Sequence, residues 1–592
     1  MIKKIKSTLF DLNLWTVIII GVLACRTLIF QEGYFNMHDD LQMMRQLQME
    51  KCFQDGQIPC RWVPDMGYGY GFPLFNFYPP LPYLIGQIFR ILGFSFVNTV
   101  KYTFSASVIL SGVFMYYLSR EFLMNSLKIG NLKLHMPAIV SSAFYIWAPY
   151  HAVDVYVRGA MNESWALTWF PLIFYTSYKL ITATKENSRF WFLAFAFSYF
   201  ALFTSHNLMV LIFTPVFFAW LLLILWIENA WGKIPKLFLS GLLSLGMAAF
   251  FTLPAIFENK YTQIKSQLEG YYDYNAHFVS LNQLLFSRYW GYGPSVWLEE
   301  DKMSFQIGYL HWVLSLVVFV YVFSRLVIKS REEGFIIAFK DKTIMAVLFL
   351  FMVGWFGAFM THVRSINIWM AIDQLKYLQF PWRFMTIVIF SLSFVVGAIF
   401  VYIKGRFSVF LGFLFIFAVM VFNWNYFLPE YGKMGKLTDE EKFSGVAWEL
   451  QQTAGIYDYL PVHAKTAPKS PKKETFEFVF GSGAVSKEEN GTYWSKGNIL
   501  VTTDLAQIRI NILDFPGWRV FVNGKETKKY IADDEEWGRM YIDLEKGDNF
   551  IYVQLFNTPI RTISNLISFG SWVLFFYLMI GKKLLSLRSF YL

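Results

Sequence analysis

An imidazole and two adjacent carboxylates, Met37-His38-Asp39-Asp40, follow directly on the first apolar segment of the chain. An ionised aspartate can take a proton from a hydroxyl, and an imidazole can hold or pass one. In the next run, LQMMRQLQMEKCF, Leu41, Met44, Leu47 and Gln48 fall on one side at helical spacing, which predicts an interfacial helix starting here. One aspartate suffices to cap that helix, because carboxylates are favoured at helix N-termini. Capping leaves the other aspartate and His38 unexplained. A helix N-terminus also lowers a carboxylate's pKa, so a base here needs orientation and hydrogen bonding in compensation.

Further along, Asp154-Val-Tyr-Val-Arg158-Gly-Ala-Met-Asn162-Glu163 brackets a glycine with charges and reads either as a salt-bridged turn or as part of a site. His206, in Thr204-Ser-His-Asn207, sits between two apolar runs with almost no loop, where a lone histidine is more often structural. Arg383, between Trp382 and Phe384, suits a snorkelling anchor or a phosphate clamp. The aromatic runs GYGYGFPLFNFY and RYWGYGPSVW read first as interface belts, although sugar rings also stack on such faces.

The elements that position these residues follow from composition. At 55% hydrophobic, 20% aromatic and 16% charged over 592 residues, the chain falls well below the roughly one-quarter charged share of soluble domains. Apolar runs of about 18 residues or more recur, each long enough to cross about 30 Å of hydrocarbon. The net charge of +10 then reflects Lys and Arg in cytoplasmic loops, and no nucleic-acid partner is expected. The start, MIKKIK before LWTVIIIGVLACRTLIF, reads as a retained first span with its N-terminus inside. Placing the loops with Lys185 and Arg189, Lys233 and Lys236, Lys329 to Lys342, Lys404 and Arg406, and the tail Lys582 to Arg588 inside gives roughly twelve spans, both termini cytoplasmic. For the basic loop Arg120 to His135, carrying Lys128 and Lys133, to lie inside as well, one of the stretches 80–97 and 102–120 must not cross; 80–97, which opens with PPLP and carries Arg90, reads better as an interfacial helix. His38, Asp39, Asp40, Asp154, Arg158, Glu163, His206 and Arg383 then share the outer side.

Region 428–564 changes character, with a Lys-rich linker, HAKTAPKSPKKE, then alternating stretches such as ILVTTDLAQIRINIL and NFIYVQLF and a turn at Asn523-Gly524. It predicts an extracytoplasmic antiparallel β-sandwich between a transmembrane domain, 1–427, and a final helix with cytoplasmic tail, 565–592. Of the three cysteines, Cys25 lies in the first span. Cys52 and Cys60 close a short loop where the compartment permits a disulfide, and spacing alone leaves the pairing open. No GxxxxGK[ST], HExxH or paired CxxC is present, and the spans carry few ionisable residues, Arg26 and His311 being exceptions. Nucleotide hydrolysis and zinc-protease chemistry have no signal, and transport has little.

HDD after the first span, GYGYGFPLFNFYPPLPYLIG, APYHAVDVYVRGAMNE, TSHN, LQFPWRF, DFPGWRVFVNGKE and NTPIR together resemble bacterial membrane proteins termed 6-pyruvoyl-tetrahydropterin synthase-related, close to the YfhO family, along most of the chain. The pterin chemistry in that label is not expected, because the eight histidines (38, 135, 151, 206, 277, 311, 362 and 463) contain no HxH pair for a three-histidine zinc site. More broadly the family resembles GT-C glycosyltransferases, which take a sugar from a polyprenyl-phosphate carrier. That resemblance implies Asp39 or Asp40 as the catalytic carboxylate and, less directly, a second acidic position at Asp154 or Glu163. Arg158 or Arg383 would hold the leaving phosphate. Asp39 and Asp40 can also ligate a divalent metal, which some members of the class need, although nothing in the sequence requires one. The implied reaction is inverting sugar transfer to an envelope glycan, lipid or protein at the plasma membrane. The alternatives are a non-catalytic protein that binds or guides such a lipid or glycan and, more weakly, a lipid flippase or transporter.

Overall fold

The computed structural model describes residues 11–588 apart from 124–126, 130–131, 264–265, 267, 298–299 and 404. Of the basic positions that orient the chain, Lys3, Lys4, Lys6 and Lys404 lie outside the described residues, as do the side chains of Lys128, Lys133 and the tail from Lys582.

Among the described residues, eight helices are long and apolar enough to cross a membrane: Phe96–Phe122, Asn207–Ile227, Trp231–Phe257, Tyr309–Glu333, Lys342–Thr361, Pro381–Tyr402, Arg406–Tyr426 and Pro559–Gly581. Helices fill the other expected stretches too, but Leu12–Ala24, Met136–Ile146 and Ser188–Phe203 are shorter. Met136–Ile146 stops early because Pro149 has no N–H to continue the ladder and starts a new turn. Of the eight, Pro381–Tyr402 is the most enclosed, with 89% of its apolar window buried. The stretch expected at an interface forms Leu81–Ile91, an 11-residue helix. At about 1.5 Å per residue it is roughly half the length needed to cross. Ile88, Ile91 and Leu92 are exposed along it, and Arg90 pairs with Glu50 at 2.5 Å.

Two short strands, β1 (Leu127–Ile129) and β2 (Leu132–Leu134), form a hairpin between helices. The C-terminal region contains β3 (Phe476–Phe480), β4 (Gly483–Asn490), β5 (Trp494–Leu513), β6 (Trp518–Val522), β7 (Lys525–Thr527) and β8 (Arg539–Leu555). Hydrogen bonds join these six into one antiparallel sheet in the order β3-β5-β8-β6-β7, with β4 also on β5. The alternation had predicted two facing layers. Here the long strands β5 and β8 serve both ends of the sheet, with register breaks at Val501/Leu505 and Ile510/Leu513. The layer over its apolar face comes from the first loop and from Ile456, Leu460, Ala464 and Ala467 of the linker. Trp62, Tyr70 and Phe77 enter the sheet's core, and Trp62 packs edge-on against Trp518 at 5.3 Å. The run GYGYGFPLFNFY is therefore largely core instead of interface belt, because it is the apolar surface available to an otherwise half-covered sheet.

A buried ionic network ties this assembly to the bundle. Glu258, at the end of helix Ile234–Phe257, accepts from Arg561 Nε at 2.8 Å, Asn76 Nδ2 at 2.8 Å and Thr558 Oγ1 at 2.6 Å. Arg61 donates to Asn76 at 3.1 Å and to Asn565 at 2.8 Å. Loop, bundle and final helix thus share one desolvated carboxylate. Cys52 and Cys60 form a disulfide.

Candidate functional site

The HDD motif is held by backbone contacts from a distant turn. The N–H groups of His38 and Asp39 donate to the carbonyls of Val157 and Arg158 at 3.0 and 2.9 Å. Gly159 makes this approach possible: its φ is +63°, and a Cβ there would stand 2.3 Å from Met37 Sδ. Asn162 Nδ2 then bonds the carbonyls of Pro79 and Ser205 at 2.9 and 2.8 Å, bringing in the aromatic run and the TSHN turn. Four sequence-distant motifs converge at the end of the bundle that carries the sheet.

Their convergence leaves a cavity of about 570 Å³ whose walls include His38, Asp39, Arg45, Arg158, Glu163, His206, Trp382, Arg383 and Asp458. The helix after the motif, Gln42–Gln54, has Leu41 as its N-cap, without a side-chain cap. Neither aspartate caps it, because each is drawn to a cation. Asp39 Oδ2 accepts from Arg45 at 2.6 Å and Gln42 at 3.0 Å. Asp40 Oδ2 meets the buried Lys442 at 2.5 Å and does not line the cavity. The helix is not interfacial either. Gln42, Met43, Met44, Arg45, Gln46 and Gln48 are buried, covered by Leu81–Ile91 and Phe96–Phe122.

Opposite Asp39 lies a charged cluster. Glu163, fully buried at the start of helix Met161–Ile181, accepts from Tyr150 Oη at 2.7 Å. Its Oε2 is 3.0 Å from Arg158 Nη1, 3.7 Å from Arg383 Nε and 3.9 Å from His206 Nε2. Arg158 also pairs with Asp154, which is buried behind it and off the cavity wall, and lies 4.5 Å from the Trp382 ring centre. Burial opposes the Arg158 charge, but the fields of Glu163, Tyr150 and Asp154 outweigh it and hold the guanidinium firmly protonated. Arg383 is only 8% exposed, so it does not snorkel. Its Nη1 donates to Leu378 O at 2.8 Å, while Nε is buried without a hydrogen bond. Burial pushes the His206 imidazole down to about 3, against the pull of Glu163. Its Nδ1 accepts from Leu208 N–H at 3.2 Å, which leaves the neutral ring's proton on Nε2, facing Glu163. His38 is likewise depressed by burial, and its Nε2 contacts Tyr292 O at 2.8 Å.

The HDD motif does not fit a divalent cation, since its carboxylates face different ammonium and guanidinium groups. Among the described residues no group of three or more His, Cys, Asp and Glu side chains is placed to hold a metal. Sequence reasoning missed Arg45 and Asp458. Arg45 stood in plain view six residues after Asp39. Asp458 has no motif around it and reaches the cavity only because the linker folds back.

No family model matches the chain. An uncharacterized protein of Lactococcus lactis subsp. cremoris (strain MG1363) is 23% identical over 338 residues, 56% of this chain. The match spans about half, 52%, of that relative's length.

Proposed function

We propose that this cavity is the reaction site of a GT-C-type glycosyltransferase that moves a sugar from a polyprenyl-phosphate carrier to an envelope acceptor at the outer face of the plasma membrane. The observation that carries the reading is the cavity that Asp39, Arg158 and Arg383 line together, at one end of an apolar bundle and beside a folded polar domain. In this reading the chain forms roughly twelve spans, the shorter helices crossing with their flanking turns, and the sheet lies outside as a sandwich-like lid.

A carrier anchored by its hydrocarbon tail presents its phosphate at the bilayer surface, so the chemistry must occur where the polar residues gather. Cleavage of the sugar–phosphate bond raises the negative charge on the leaving phosphate. Arg158 and Arg383, water-poor and pre-positioned, stabilise that charge more than the starting state. Attack from the opposite side inverts the anomeric carbon. Asp39, not Asp40, is the first-loop carboxylate that faces the acceptor, fixed in place by Arg45 to orient its hydroxyls.

The test uses the full chain in proteoliposomes with a panel of polyprenyl-phosphate-linked hexoses and pentoses. Asp39→Asn and Arg383→Lys should each lower transfer by about 10²-fold or more, and Asp40→Asn should leave it near wild type. Full transfer by Asp39→Asn would remove the catalytic assignment. Donor binding with no transfer by the wild type would favour the non-catalytic lipid- or glycan-binding reading.

A further inference from the structure

The linker that leaves the bundle for the sheet returns to the cavity. After helix Gly445–Thr453 the chain turns, and Asp458 and Tyr459 become part of the wall beside Asp39 and Arg45. The segment is firmly seated. Tyr459 stacks on Phe77 with ring centres 5.5 Å apart, Leu460 is fully buried, and Asp458 N–H donates to Gly455 O at 3.0 Å.

The titratable groups that face Asp458 come from two other segments: Asp39, Arg45 and Tyr78 of the first loop, and Tyr272 of the stretch between helices Trp231–Phe257 and Tyr309–Glu333. Arg45 is already committed, with Nη1 2.6 Å from Asp39 and 3.0 Å from Tyr78 Oη and its guanidinium over the Tyr78 ring. Asp39 takes that cation at contact distance. Both carboxylates lie in its field. Burial pushes the Asp458 carboxyl up to about 6, with Arg45 opposing and Asp39 adding to the rise. A carboxylate poised near the working pH is the better proton acceptor.

We infer that Asp458, carried by the linker of the C-terminal domain, is the proton-accepting carboxylate of the cavity, while Asp39, paired with Arg45, positions that guanidinium and the acceptor. The step rests on the sugar-transfer reading for its substrate. The acceptor hydroxyl's proton passes to Asp458 as its oxygen bonds to the anomeric carbon. The bond from that carbon to the phosphate oxygen breaks, and its electron pair leaves on the polyprenyl phosphate. The assignment makes the C-terminal domain part of the site, since its linker carries the base.

Two measurements on the full chain in nanodiscs separate this inference from that reading. Infrared titration of the carboxyl band between pH 4 and 8 should show in the wild type a group with a midpoint near 6. Asp458→Asn should abolish it, and Asp39→Asn should lower its midpoint by removing a neighbouring negative charge. A band that survives Asp458→Asn, or a midpoint unmoved by Asp39→Asn, overturns the inference. With the lipid-linked sugar panel, Asp458→Asn should cut kcat by about 10²–10⁴-fold with donor KM nearly unchanged. Asp458→Glu should restore part of the rate with a displaced acid limb. Wild-type kcat in Asp458→Asn also overturns it. If the wild type transfers no sugar yet the infrared pattern holds, the transfer reading fails and the proton-holding role of Asp458 stands.

Discussion

Replacing Glu163 by Gln removes one negative charge from between two buried guanidiniums and leaves the Tyr150 hydroxyl an acceptor. At an effective dielectric of 20, Glu163 attracts Arg158 at 3.0 Å and Arg383 at 3.7 Å by about 5.5 and 4.5 kcal/mol. Burying the carboxylate offsets much of that sum, and broken buried pairs typically lose about 3–5 kcal/mol because a charge is left uncompensated. Arg158 keeps Asp154. Arg383 keeps only Leu378 O and Gln379, so it bears most of the loss. Unfolding free energies from steric trapping in bicelles should show E163Q about 3–5 kcal/mol below the wild type. A lipid phosphate now meets a cation pair that has lost its shared anion and should bind more tightly, and at a hundred times its Kd it restores about 2.7 kcal/mol. Stability within about 0.5 kcal/mol of wild type, with no response to polyprenyl phosphate, would refute the claim that Glu163 balances these arginines.

Glu258→Gln strips the carboxylate shared by Arg561, Asn76 and Thr558. It should cost about 3–5 kcal/mol and open the start of the final helix to protease, read by limited digestion. Reducing the Cys52–Cys60 bond should lower stability by about 2–3 kcal/mol. Thiol labelling in denaturant should find only Cys25 before reduction and all three cysteines after it. His206 has a folded pKa of about 3 against an ordinary 6.5, so the unfolded chain binds more protons between these values. Its contribution is fully present above pH 6.5 and is lost as pH falls towards 3, and His206→Gln should flatten that part of an acid-unfolding curve. Asp439 accepts from Phe96 and Val97 N–H at 2.7 and 2.9 Å and so caps helix Phe96–Phe122 from the linker. Asp439→Ala should cost about 0.5–2 kcal/mol, measured by chemical denaturation.

The apolar helices and the gathering of Arg158, Glu163, His206 and Arg383 at one end of them were legible because hydrophobic run length and Lys/Arg bias act locally along the chain. The fate of Asp40 was not. Its partner, Lys442, lies 402 residues away, and no local pattern announces such a pairing. Asp458 was hidden for the same reason, sitting in a plain linker between Tyr457 and Tyr459. The alternation of β5 and β8 correctly showed half-buried strands, but it could not show what covers them. The cover proved to include Trp62, four linker residues, and Tyr70 and Phe77 of GYGYGFPLFNFY, a run whose aromatic density reads as a membrane-interface belt. The Asp39–Arg45 pair was within reach of sequence reasoning, yet the capping preference of aspartate competed with it and lost to a buried guanidinium.

The central claim is that the cavity holds the phosphate of a polyprenyl carrier, and a cryo-EM map of the full chain with added polyprenyl phosphate tests it most directly. The account predicts phosphate density between Arg158 and Arg383, within hydrogen-bond reach of Arg383 Nε, with the hydrocarbon tail leading to the lipid-facing side of the bundle. Saturating lipid with no density there, or phosphate bound only elsewhere on the protein, would contradict it.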